Sequence, residues 1–134
     1  MTTLNPYIHL PGTCREAMNF YKEVLGGKLD LMTIGESPVA AQMPDMKDGI
    51  LHSVLQNEHV TIMASDMGPA NVKEQIVELC LVCSSKEEIE RLYAKLSAGG
   101  KVTRALTQEF FGTFAQFTDK FGVNWMMQFG MDKK

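Results

Sequence analysis

The stretch Phe20-Tyr-Lys-Glu-Val-Leu-Gly-Gly-Lys-Leu29 is answered half a chain later by Leu92-Tyr-Ala-Lys-Leu-Ser-Ala-Gly-Gly-Lys-Val102. Each is the end of an amphipathic helix, a glycine pair, and a lysine that opens a strand-like run. Similar units at a fixed offset signal duplication. Working back from the first copy, Thr13-Cys-Arg-Glu16 has the capping-box pattern, in which hydroxyl and carboxylate satisfy the orphan amides of a helix start. Ala17, Phe20, Tyr21, Val24 and Leu25 then form one apolar face. Ser85-Lys-Glu-Glu88 repeats the cap. Ile89, Leu92, Tyr93 and Leu96 repeat the stripe, each 72 positions on. The second glycine pair comes one residue late, as a single insertion would place it. Glycine suits both helix ends because it accepts the left-handed C-cap conformation.

Strand-like runs surround both helices: 7–10, 29–34, 50–56 and 60–65 around the first, and 75–83, 101–106, 112–118 and 123–129 around the second. Short links such as Asn57-Glu58-His59 and 119–122 suit tight antiparallel turns. The order is β-α-β-β-β, twice. The sequence therefore implies an α+β fold of two tandem βαβββ modules, 1–66 and 67–134. Residues 35–49 form the one long irregular stretch, of a length often found in lids and partner contacts.

The chain has 134 residues, 45% hydrophobic and 22% charged, with net charge −3. This is the make-up of one folded globular domain. No basic cluster suggests a nucleic-acid partner, and no apolar run reaches the ~18–20 residues needed to span a bilayer. The start, Met-Thr-Thr-Leu-Asn-Pro, lacks the basic and apolar segments of a signal peptide, so a cytoplasmic location is expected. Cys14, Cys80 and Cys83 are too few, and odd in number, for a disulfide framework. Cys80 and Cys83 form a C-x-x-C inside a strand-like run. Residues three apart in a strand point to opposite faces, so the pair reads as buried thiols, not a metal clip.

With this plan in place, the segments Gly12-Thr-Cys-Arg-Glu-Ala-Met-Asn-Phe-Tyr21, Leu25-Gly-Gly27, Ile50-Leu-His-Ser53, Ile62-Met-Ala-Ser-Asp66, Ala98-Gly-Gly-Lys-Val102, Phe110-Phe-Gly112 and Asp119-Lys-Phe-Gly-Val-Asn-Trp125 resemble the vicinal oxygen chelate superfamily. That superfamily takes in glyoxalase I, extradiol dioxygenases and bleomycin-resistance proteins, and the match is to its PhnB-type branch. The resemblance implies curved mixed sheets around a cavity, usually in a homodimer. In glyoxalase-like relatives it also implies a divalent metal held by His, Glu or Gln from the first and last strands of each module.

Carried over residue by residue, those positions fall on Pro6 or Ile8, on Met63, on Val77 or (with a one-residue slip) Glu78, and on Met126. Such residues do not make a hard-metal site, because a thioether is soft. Some relatives carry a label suggesting methyl transfer to a ubiquinone precursor, but no glycine-rich cofactor loop appears in this chain.

His52 is the leading polar candidate, since imidazole titrates near neutrality. It alternates with Leu51 and lies on the face of Val54. His9 reads as structural and His59 as solvated. Ten methionines suit an adaptable apolar pocket, or an ordinary core. The expected ligand-pocket set is His52, Met63, Ser65, Phe111, Asn124, Met126 and Gln128, with Trp125 and Met127 turned to the helix side. The expected function is small-molecule binding without an intact glyoxalase metal site and without a required cofactor. The alternative is a metal-dependent lyase, isomerase or dioxygenase using His52 and Glu78. A dimer that serves only to dock partners is a third reading, which the pocket-forming fold disfavours.

Overall fold

A computed structural model describes residues 4–67, 77–109 and 112–130. The chain divides into two compact units, one on each side of residues 72 and 73. The first holds β1 (Tyr7–His9), α1 (Cys14–Leu25), β2 (Lys28–Thr33), β3 (Ile50–Gln56) and β4 (Thr61–Ser65). The second holds β5 (Leu79–Val82), α2 (Lys86–Ser97), β6 (Lys101–Glu109), β7 (Gly112–Thr118) and β8 (Asn124–Phe129). The fold is α+β with two βαβββ modules. Each module has one mixed four-stranded sheet, ordered β1-β4-β3-β2 in the first and β5-β8-β7-β6 in the second. In both, the strand before the helix pairs parallel with the last strand, and the remaining pairs are antiparallel.

Each helix covers one face of its own sheet: α1 packs on β2, β3 and β4, and α2 on β6, β7 and β8. Alternation along the strands then sorts the side chains. Ser53, Leu55, Ile62 and Ala64 are buried beneath α1, and Ala115, Phe117, Trp125 and Met127 beneath α2. The buried stripe of α1 is Cys14, Ala17, Met18 and Tyr21. It is rotated from the expected stripe, so Phe20, Val24 and Leu25 are only half-buried. The stripe of α2 is Ile89, Leu92 and Leu96, with Tyr93 half-buried at its margin.

The two helix starts are built differently. Ser85 Oγ accepts from the Glu88 N–H at 3.0 Å, a local cap. Thr13 occupies the corresponding position of α1, but its side chain makes no cap bond. The acceptor there is Asp66, just past β4. Its Oδ1 takes the Cys14 N–H at 3.0 Å and its Oδ2 the Ile50 N–H at 2.7 Å. The expected capping box at 13–16 is thus replaced by a long-range carboxylate that ties helix, β3 and β4 together.

The repeated glycine pair also has two separate jobs. Gly26 and Gly99 turn the chain out of the helix at φ +79° and +77°. Gly27 and Gly100 let the outgoing strand lie against a carbonyl at the end of the neighbouring strand. A Cβ on Gly27 would stand 2.6 Å from the Gln56 carbonyl oxygen, and one on Gly100 would overlap that of Thr118.

The long stretch 35–49 contains two short 3-10 turns, Ala40–Gln42 and Pro44–Met46. The fifth strand is shorter than the expected 75–83, running only over Leu79–Val82. Residues 75 and 76 lie outside the described residues, as do Phe110 and Phe111. Cys83 is buried but Cys80 is exposed, which corrects the expectation of two buried thiols. Cys80 lies on the sheet face that α2 leaves bare, in an edge strand.

Candidate functional site

The helix-free face of each sheet carries those nominated residues that are described. On the first sheet, Tyr7 pairs with Met63, and Met63 with Val54. Neighbours across a sheet share a face, so Tyr7 and Met63 stand side by side. The first-strand position on this face is therefore Tyr7, not Pro6 or Ile8, because the parallel register sets which residues of β1 stand beside β4. Alternation adds His9. The Tyr7 ring centroid is 5.5 Å from that of His9 and 5.7 Å from that of His52. The Tyr7 hydroxyl and His52 Nδ1 share a 3.1 Å hydrogen bond.

His9 Nδ1 lies 2.9 Å from the Met67 carbonyl. A carbonyl only accepts, so Nδ1 carries the hydrogen, and the neutral ring keeps its lone pair on Nε2. His9, read from the sequence as structural, thus joins Tyr7 and His52 in one ring cluster. Ser65 is buried, and its hydroxyl is committed to backbone: it donates to the Ile50 carbonyl and accepts from the Met67 N–H. His59 is exposed at the turn, 3.6 Å from the equally exposed Glu58 carboxylate.

On the second sheet, Asn124, Met126 and Gln128 alternate with the buried Trp125 and Met127 and are half-exposed. Met126 pairs with Cys80 on one side and Gln116 on the other. Asn124 Oδ1 accepts from the Thr118 hydroxyl at 2.7 Å. Both carboxylate oxygens of Glu78 accept from Gln116 Nε2 at 3.0 Å. Phe114 pairs with Gln128 on this face, and the Arg104 guanidinium lies 5.4 Å from the centroid of its ring. The nominated Phe111 lies outside the described residues. Tyr7, Gln116 and Arg104 carried no signal in the sequence, because only the strand register brings them onto these faces.

Burial pushes all three thiols up. For Cys14 the Ser53 hydroxyl at 3.5 Å acts in the opposite sense. For Cys80 the Glu78 carboxylate adds to the burial effect. Cys83 is raised to about 11 by burial and then by Glu88. Such thiols are poor nucleophiles at neutral pH.

A groove of about 570 Å³ opens elsewhere in the first module, at the start of α1, lined by Arg15, Glu16, Asn19, Met46, Asp48 and Asp66 among others. Two of its polar side chains already serve the fold. Asp66 caps two amides, and Arg15 Nη2 donates to the Asp48 carbonyl at 3.2 Å. None of the nominated residues lines it.

Among the described residues no three His, Cys, Asp or Glu side chains are grouped to hold a metal. The donors on the helix-free faces include the thioethers of Met63 and Met126, which do not suit the hard or borderline metals of glyoxalase-like relatives. At the carried-over ligand positions the donor set does not fit that metal.

Two mixed βαβββ modules, each with its helix on one sheet face, define a class of scaffold, and the comparison with known proteins gives that class its family. Residues 4–127 match the Glyoxalase/Bleomycin resistance protein/Dioxygenase superfamily, and the chain belongs to it. It is 33% identical over 139 aligned positions to Protein YjdN of Escherichia coli (strain K12), covering 92% of each chain. Among solved structures, protein PA1353 from Pseudomonas aeruginosa is 38% identical with a TM-score of 0.82, covering 98% of this chain and 100% of that one. A Bacillus cereus structure named as a PhnB protein and putative 3-demethylubiquinone-9 3-methyltransferase has a TM-score of 0.78 at 22% identity, over 96% and 99% of the two chains. At that identity the likeness is one of fold. No helix among the described residues is long and apolar enough to cross a membrane.

Proposed function

We propose that this protein binds a small, partly aromatic molecule against a helix-free sheet face, without the four-ligand metal site of glyoxalase-like enzymes, and that it works as a cytoplasmic homodimer. The observation that carries the reading is what stands on the helix-free faces. Methionine and ring side chains (Tyr7, His52 and Met63 on one sheet, Phe114 and Met126 on the other) are interleaved with a few hydrogen-bonding groups. Ligand sites have this make-up, mostly apolar with a few placed polar groups, and methionine adapts its shape to what it meets. Membership of the superfamily supports small-molecule recognition by analogy of fold.

The test is a screen of aromatic fragments by ligand-observed NMR, with EDTA present throughout. Hits that weaken in Met63→Ala or in Met126→Ala are expected. A screen without hits, or hits indifferent to both substitutions, would remove the proposal. Light scattering of the eluting protein checks the dimer.

A second reading, an enzyme using His52 and Glu78, is favoured by the Tyr7–His52 hydrogen bond, an arrangement that can pass a proton. Catalysis would demand that His52→Ala abolish turnover of a bound ligand while leaving its binding intact.

A further inference from the structure

We propose that the ligand carries an oxyanion of carboxylate or phosphoryl geometry, and that Arg104 is the group that receives it. The inference rests on the binding role proposed above and adds the chemical class of what binds. Arg104 pairs with Gln116, which pairs in turn with Met126. It therefore belongs to the helix-free face of the second sheet.

Three features set this arginine apart from an ordinary surface cation. Its guanidinium carbon stands over the Phe114 ring, 5.4 Å from the centroid. Phe114 is itself buried, so the fork rests on a fixed support. A guanidinium held over a ring by cation–π attraction still has N–H groups to offer a planar anion. Next, the register of β6 against β7 slips on both sides of Arg104, between Val102 and Arg104 and again between Arg104 and Thr107. Bulges re-aim a side chain and are over-represented beside functional sites. Here two irregularities bracket a single residue of an otherwise regular nine-residue strand.

The third feature is the lack of a countercharge. The ion pairs given for the described residues join His59 with Glu58 and Lys86 with Glu90, so among the described residues no carboxylate lies within ion-pair distance of Arg104. The acid on the same face, Glu78, already accepts from Gln116 through both oxygens. The face thus offers a guanidinium donor, backed by the Phe114 ring, on the same side of the sheet as the half-exposed Met126. That combination matches a molecule with an anionic head and an apolar or aromatic body.

The test uses three probes of similar size: benzoate, phenyl phosphate and the neutral benzamide. Affinities are measured by ligand-observed NMR on the full-length wild type, Arg104→Gln, Arg104→Lys and, as a control on α2, Arg91→Gln. Folding of each variant is checked by circular dichroism. At least one anion is expected to bind about tenfold or more tighter than benzamide, as a charge-assisted fork would provide. Which of the two does so distinguishes a carboxylate from a phosphoryl ligand. The advantage should vanish in Arg104→Gln, shrink in Arg104→Lys, which keeps the charge but not the fork, and persist in Arg91→Gln. Benzamide binding equal to that of both anions, or an anion advantage that survives Arg104→Gln, overturns this inference alone. Absence of binding by all three probes overturns it together with the binding role on which it rests.

Discussion

Replacing Asp66 by alanine removes an acceptor from two amides at once, those of Cys14 at the start of α1 and Ile50 at the start of β3. Both residues are fully buried, so water reaches the abandoned N–H groups poorly. Loss of a helix cap costs about 1 kcal/mol. Leaving a buried donor unsatisfied costs roughly 1–3 kcal/mol. Taking the first for Cys14 and the second for Ile50, the sum is about 2–4 kcal/mol. At roughly 3 °C per kcal/mol for a domain of this size, melting should fall by about 6–12 °C.

The assay is urea unfolding followed by circular dichroism, with Thr13→Ala and Ser85→Ala alongside. Thr13 makes no cap bond, so its substitution should cost under about 0.5 kcal/mol, the range of a surface change without a specific role. Ser85→Ala should cost about 1 kcal/mol, because that hydroxyl does cap its helix. If Thr13→Ala proves as damaging as Asp66→Ala, the long-range cap is refuted and the local capping box reinstated.

Two further predictions concern the backbone and the thiols. Gly27→Ala should cost clearly more than Gly26→Ala in the same unfolding assay. Both positions have positive φ, worth about 1–2 kcal/mol of strain, but only at Gly27 does the new methyl also strike a carbonyl. At pH 8, Ellman's reagent should label one thiol per native chain, the exposed Cys80, more slowly than free cysteine. Cys14 and Cys83 should wait for unfolding. The Cys83 thiol is raised in the folded state from the usual value near 9 to about 11. Its contribution to stability is therefore complete below the unfolded thiol's range and is lost as pH climbs toward 11. Cys83→Ala should flatten the alkaline limb of the stability curve over that window.

The fold was legible because both copies of the repeat carry the same local signals: a cap pattern, an apolar stripe, a glycine pair. What those signals did not contain was long-range pairing. Thr13 looks like a cap, yet a carboxylate fifty-three positions away fills the role, and the buried stripe of α1 runs through Cys14 and Met18. The register of the second sheet could be read because Trp125 and Met127 are large, apolar and alternate with Asn124, Met126 and Gln128. In the first sheet, β1 is three residues long and offers too little alternation to fix its partner. The Tyr7–His9–His52 cluster therefore emerges only once β1 is laid beside β4. Arg104 was hidden for a similar reason. Two slips in β6 break the period of two, so counting along the strand does not give its face.

Metal content per chain, measured by inductively coupled plasma mass spectrometry on the protein as purified and on His52→Ala, tests the central claim most directly. The account predicts metal far below one equivalent in both proteins, and aromatic-probe binding that EDTA leaves unchanged. One equivalent of a divalent metal in the wild type, absent from His52→Ala, would contradict it and restore the enzyme reading.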